Sequence, residues 1–184
     1  MIKNQWYIAC FDRELKENKL LKRKIVGEEI VLFKNTEGKV SALEDRCCHR
    51  NVHLSNGEVH EGKLKCGYHG WEFNSSGTCV HIPMLEDNQS IPSSACVKAY
   101  PIQYKYKAYW VYFGEEDKMQ EAILPEMPEL DNYPFVFNRH TLKANIKLVA
   151  ESLFDAQHIN HVHKHSINTL LGKLREPKTE YSIE

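Results

Sequence analysis

The chain has 184 residues, 42% of them apolar, and a formal net charge of −1. That is enough for one ordinary core, or one core and part of another. The charge argues against nucleic acid as the main partner, which calls for a strong basic excess. No run approaches the roughly eighteen apolar residues that span a membrane.

Taken in order, MIKNQWYIACFDREL carries one early lysine but no apolar stretch of signal-peptide length, so it reads as the start of a folded domain. KENKLLKRK, Lys16 to Lys24, is locally basic. It reads as a solvated strand edge or loop, with a docking patch for an acidic redox partner as the alternative. EEIVLFKNTEGKVSALED reads as a hairpin turning at Asn35 to Gly38. KLKCGYHGWEFNSSGTCV repeats the idea, with its turn at Asn74 to Gly77. AYPIQYKYKAYWVYFGEED supplies an aromatic-rich strand pair ending at Gly114. An all-β domain is therefore expected over residues 1–115.

EEDKMQEAILPEMPELDNYP holds Pro125, Pro128 and Pro134 and reads as an irregular connector, within residues 116–140. From about Asn145 to His158, Ile146, Val149, Ala150, Leu153 and Phe154 fall at helical spacing. One helix of a second domain is expected there. Residues 141–184 are few for an independent core, so that domain is expected to be incomplete in this chain. The expected fold class is α+β.

Six cysteines in a Lys/Glu-rich chain without a signal argue for a reducing, cytoplasmic interior. There, paired Cys and His mean metal more often than disulfide. Cys47 and His49 form Cys-x-His, and Cys66 and His69 form Cys-x-x-His, with sixteen residues between the pairs. Two thiolates and two imidazoles can hold zinc tetrahedrally. They can equally hold a [2Fe–2S] cluster, two Cys on one iron and two His on the other. Spacing alone does not decide. Each half gives one Cys and one His, which allows each loop to serve both irons, whereas zinc fingers more often pair like with like. Cys10, Cys48, Cys79 and Cys96 are expected to be buried small hydrophobes.

CCHRNVHLSNGEVHEGKLKCGYHGWEF resembles the Rieske motif of the Rieske non-haem iron oxygenases, which usually reads Cys-Pro-His-Arg and then Cys-Pro-Tyr-His-Gly-Trp. Cys47, His49, Cys66 and His69 match its four cluster ligands, and Arg50, Leu54, Gly57, Tyr68, Gly70, Trp71 and Phe73 match their surroundings. Cys48 and Gly67 stand where Pro is common, and Asn51 where Gly is common. The resemblance implies a β-sandwich with a small cluster-binding subdomain, followed by the beginning of a helix-grip catalytic domain. By the same resemblance Cys47 and Cys66 hold the iron that stays ferric, while His49 and His69 expose the other. Exchanging thiolates for imidazoles lifts the potential into a window of about −150 to +300 mV. The second loop offers Cys48 no disulfide partner of the kind found in high-potential respiratory Rieske proteins, so the oxygenase or ferredoxin branch is favoured. WYIAC, YWVYFG and LPEMPEL are further landmarks of the vanillate-demethylase and phenoxybenzoate-dioxygenase type.

A second cluster of candidates lies in AESLFDAQHINHVHKHS. Asp155 and His158 stand three apart, so a helix sets them on one face. His158 and one more His can give two ligands of a two-His, one-carboxylate iron(II) site. A straight helix favours His161 as the second. The resemblance favours His163, through its pattern of Asp, two residues, His, four residues, His. It leaves His161 and His165 facing solvent or behind the ligands, and it matches Glu151 to a family Glu or Asn. It also implies that Asp155 is no iron ligand but a bridge between a Rieske histidine of one subunit and an iron-bound histidine of the next, in a homotrimer. The third iron ligand of the family lies well beyond residue 184, and Glu176, Glu180 and Glu184 are not assigned to it.

The leading expectation is an oxygenase component with a [2Fe–2S] cluster and a mononuclear Fe(II). Electrons come from NAD(P)H through a reductase, a ferredoxin or both. O₂ and a small organic ring are the substrates, for hydroxylation or oxidative demethylation. A Rieske electron-transfer protein without oxygenase activity is the alternative. A structural zinc module is the third reading, and Tyr68, Gly70 and Trp71 argue against it.

Overall fold

Short hairpins build most of the chain. The computed structural model describes residues 2–162, apart from 87, 133, 137, 138 and 156. Eleven strands form three antiparallel sheets among the described residues. β1 (Gln5–Phe11) pairs with β11 (Ala108–Phe113), which pairs with β10 (Ile102–Lys105). The second sheet runs β2 (Leu21–Ile25), β3 (Glu28–Lys34), β4 (Val40–Glu44), β9 (Ala99–Tyr100). The third runs β5 (Glu58–His60), β6 (Lys63–Lys65), β7 (Glu72–Phe73), β8 (Cys79–His81).

Local chemistry sets the turns. Asn35 and Asn74 act alike: each side-chain Oδ1 accepts two backbone N–H groups across its turn, and Gly38 or Gly77 closes the turn at positive φ. These are the two turns read from the sequence. Tyr106 and Lys107 join β10 to β11 with both φ near +55°, the left-handed pair that matches the twist of a tight hairpin.

β3 explains where the cores lie. Ile30, Val31, Leu32 and Phe33 are all fully buried, so this strand is covered on both faces. Ile30 and Leu32 pack with Val111 and Phe113 of the first sheet. Val31 and Phe33 pack with Leu64 and Phe73 of the third sheet, and with Cys47 and Cys66. Alternation along one strand thus joins the sandwich to the subdomain that carries the cysteines.

The proline-rich stretch is better ordered than an irregular connector. It holds a 3-10 helix, Glu116–Glu121, and a short helix α1, Pro128–Asn132. It also straps the outer face of the first sheet. Leu124 is buried with Trp6 and Trp110. The Trp6 indole donates to the Ala122 carbonyl at 2.8 Å, and the Met127 N–H donates to the Tyr106 hydroxyl at 2.8 Å. Apolar anchors on either side of Pro125 make the difference.

The chain divides into two compact units, Met1–Phe137 and Asn138–Glu184. In the second unit, one continuous helix was expected from about Asn145 to His158. The structure has two: α2 (Ile146–Phe154) and α3 (Gln157–Val162). Asp155 makes the break. Its ψ of 86° leaves the helical region, and its Oδ1 accepts the N–H groups of Gln157 (3.0 Å) and His158 (3.3 Å), capping the second helix. None of the described helices is long and apolar enough to cross a membrane.

Candidate metal centre

Cys47 and His49 lie on the loop between β4 and β5, and Cys66 and His69 on the turn between β6 and β7. The two loops bond alike. The Cys47 N–H donates to the Val52 carbonyl (2.8 Å), and the Asn51 N–H returns to the Cys47 carbonyl (2.9 Å). The Cys66 N–H donates to Trp71 (2.8 Å), and the Gly70 N–H returns to Cys66 (3.0 Å). In each case the residue four past the cysteine takes positive φ, +56° at Asn51 and +71° at Gly70. Asn tolerates that region because its short polar side chain bonds locally. Here the Asn51 Oδ1 accepts from the Arg46 Nε at 2.8 Å.

The loops meet through backbone. A Cβ on Gly57 would stand 1.9 Å from the Lys65 carbonyl oxygen, and one on Gly67 would stand 2.7 Å from that of Asn56. Both thiols are nearly inaccessible, at 2% exposure, while both imidazoles face outward. The His49 and His69 ring centres lie 4.7 Å apart. Trp71 stacks flat on His49, with centres 4.6 Å apart and planes 3° apart, and fixes its ring. Trp71 was matched in the sequence only as part of the motif's surroundings.

Burial keeps the donors neutral. Burial, with the neighbouring Cys66 thiol, pushes Cys47 up to about 11, against the backbone N–H groups of His49 and Arg50. A metal must therefore drive the deprotonation that ligation requires. Desolvation, with the charges of His69 and Arg50, lowers His49 and favours the neutral imidazole that binds metals.

The donor set has two unlike ends. Among the described residues, the one trio of His, Cys, Asp or Glu donors lying within 4.8 Å of one another is Glu29, Asp45 and His53. The two thiols and two imidazoles are separate from that trio. They form a buried sulfur end and an exposed nitrogen end, the polarity of a cluster held by Cys₂ and His₂. The Glu29–Asp45–His53 trio already holds a cation. Lys22 Nζ lies 3.4, 3.2 and 3.3 Å from the three. Sequence reading missed this group, because Lys22 belongs to a run expected at a solvated edge.

That run does form the outer strand of its sheet, β2. Arg23 also turns inward, pairing with Glu14 at 2.8 Å and donating to the Ala9 carbonyl at 2.9 Å. Of the four further cysteines, Cys10 and Cys79 are buried as expected, but Cys48 and Cys96 are exposed. Cys48 sits in the turn between Cys47 and His49, where the chain faces outward.

In the second unit, Asp155 and His158 are neighbours. The His158 Nδ1 contacts the Asp155 carbonyl oxygen and lies 3.9 Å from its carboxylate. His161 follows on the same short helix and is exposed. Glu151 is exposed and its carbonyl accepts the Asp155 N–H. His163, His165, Glu176, Glu180 and Glu184 lie outside the described residues.

Comparison with known proteins agrees with this geometry. The Rieske [2Fe-2S] domain family matches residues 5–101, and the chain belongs to that family. Its relatives include the iron-sulfur subunit of the toluene-4-sulfonate monooxygenase system of Comamonas testosteroni, 34% identical over 91% of this chain and 48% of that protein. The vanillate O-demethylase oxygenase subunit of Pseudomonas sp. (strain HR199 / DSM 7063) is 34% identical over 90% of this chain and 46% of its own length. The crystal structure of dicamba monooxygenase bound to dicamba superposes with a TM-score of 0.81 at 32% identity, over 89% of this chain and 49% of that one. The chain spans about half the length of these relatives.

Proposed function

We propose that Cys47, His49, Cys66 and His69 hold a [2Fe–2S] cluster, and that the chain is the electron-input half of an oxygenase component. The observation that carries this is the pair of matched loops, with thiols buried and imidazoles exposed. The cluster would supply one-electron transfer and a mononuclear iron would supply O₂ activation. The residues of the chain do the rest. Cys47 and Cys66 shield one end from water, and His49 and His69 present the other end to a partner. Trp71 holds the His49 ring in place.

His158 and His163 are proposed ligands of the mononuclear iron. A solved dicamba monooxygenase with non-heme iron, 33% identical over 71% of this chain, supports a mononuclear iron as the second centre. Asp155 is proposed to bridge histidines of neighbouring subunits in a homotrimer. Its carboxylate is half exposed, so one oxygen is accessible while the other caps α3. Ile146, Leu148, Leu153 and Phe154 are exposed on α2, as suits a helix that a larger catalytic assembly covers. By their names the relatives act on ring compounds. The proposed reaction is hydroxylation or oxidative demethylation of such a ring, with a reductase or ferredoxin delivering electrons from NAD(P)H.

The test is a visible and EPR spectrum of anaerobically purified protein, before and after dithionite, with iron and zinc counted on the same sample. A red-brown protein with a reduced signal averaging near g of about 1.9 supports the cluster. About three irons per chain supports the oxygenase, and about two the electron-transfer protein without its own activity. A colourless protein with one zinc overturns both.

A further inference from the structure

The first ligand loop is tied shut by charge. Asp45 stands at its entrance, two residues before Cys47, with a fully buried side chain. Asp45 Oδ1 accepts the Ser55 N–H at 2.6 Å and Oδ2 accepts the Ser55 hydroxyl at 2.7 Å, at the loop's exit. Cys47 and His49 lie between these two points. A buried carboxylate is costly without a partner. Lys22 supplies one from β2, with its Nζ 3.2 Å from Asp45 Oδ2 and 3.4 Å from Glu29 Oε2. His53 Nδ1 completes the group, 3.2 Å from Asp45 Oδ2 and 3.5 Å from Glu29 Oε2.

Chain geometry puts the Asp45 and Cys47 Cα atoms at most about 7.6 Å apart. Asp45 is thus a near neighbour of the thiolate end, Lys22 is joined to it by the ion pair, and the Asp45 carboxylate lies away from water, where salt screens charge weakly. A nearby negative charge opposes adding an electron, and a nearby positive charge assists it.

We infer that Lys22 and Asp45 are a positioning pair for the first ligand loop, and that they bias the reduction potential of its cluster in opposite directions. This rests on the cluster reading above. It also gives the basic run a role directed into the protein, toward the ligand loop.

The test compares the full chain with Lys22→Met, Lys22→Arg, Asp45→Asn and the Lys22→Met/Asp45→Asn double variant, purified anaerobically. Iron per chain, the EPR signal and the midpoint potential are read at a single pH of about 8, above the ordinary imidazole range. Lys22→Met is expected to lower the potential and Asp45→Asn to raise it. The double variant should fall between them, and Lys22→Arg near the parent. Shifts of the same sign, or no shift in proteins with full clusters, overturn the inference. If Asp45→Asn loses its cluster, the lysine variants decide: a fall with Met but not Arg supports the pair, and equal potentials overturn it. A parent protein without a Rieske signal overturns the cluster reading and this inference together, before any variant is made.

Discussion

The two ligand loops share one backbone pattern and hold it by different means. In both, the cysteine N–H reaches the carbonyl five residues on, and the residue four on turns left-handed. The first loop is long, and side chains close it: Asp45 to Ser55, Lys22 to Asp45, Arg46 to Asn51. The second is the tip of the β6–β7 hairpin, and small size closes it: Gly67 against the Asn56 carbonyl and Gly70 at positive φ. A long loop has more freedom to lose, so more polar contacts are needed to offset its ordering. A hairpin tip is ordered by its strands and needs room instead.

Loss of a thiolate should erase the difference, since either loop then fails. Cys47→Ser and Cys66→Ser are each expected to abolish the cluster, with loss of visible absorbance and of the reduced EPR signal. Cys48→Ser, one residue from a ligand but exposed, should keep both. Cluster loss in Cys48→Ser, or retention in Cys66→Ser, would break the ligand assignment.

Contact between the loops comes next in size. The Gly57→Ala methyl would meet a backbone oxygen at 1.9 Å, which no side-chain rotation relieves. We expect about 3 kcal/mol or more of lost stability, the upper part of the overpacking range. Gly67→Ala, at 2.7 Å, should cost about 1 kcal/mol. Urea unfolding of both variants measures the two. Equal costs would mean that the loops move apart freely and that the close approach is no constraint.

The same contrast explains what could be read from the chain. Turns at Asn35 and Asn74 were legible because their chemistry is local: an Asx side chain and a glycine three residues later. The buried β3 was legible as IVLF. The lysine bond to Asp45 was not, because it joins residues 23 positions apart across a strand order that spacing does not encode. The helix break at Asp155 was hidden in another way. Apolar spacing runs up to Phe154, and a capping Asp looks like any helix carboxylate until its partners are seen. The family resemblance located the four candidate ligands, but no motif records Lys22, Ser55 or the flat stack of Trp71 on His49.

Of the two left-handed residues, Gly70 is the more demanding. Gly70→Ala would hold a Cβ at φ of +71° and 3.1 Å from a Pro83 ring carbon. A cost of about 1–2 kcal/mol is expected, from the left-handed conformation alone. Thermal unfolding with the cluster loaded checks it, and iron per chain should fall with it, because a backbone shift at this residue moves the N–H that closes the Cys66 turn.

Asn51 is the smallest and most discriminating case. Asn51→Gly keeps the left-handed backbone without strain. What it loses is one exposed side-chain bond to Arg46, and it adds a little freedom to the unfolded chain. The two small losses should total about 0.5–1 kcal/mol, with an unchanged EPR signal. Asn51→Ala loses the same bond and in addition pays the left-handed penalty of a Cβ with no local bond, so it should be worse than Asn51→Gly. If Ala and Gly are equal, backbone handedness is not what the position requires. The first loop would then be held by its charged strap alone, and the shared pattern of the two loops would be coincidental.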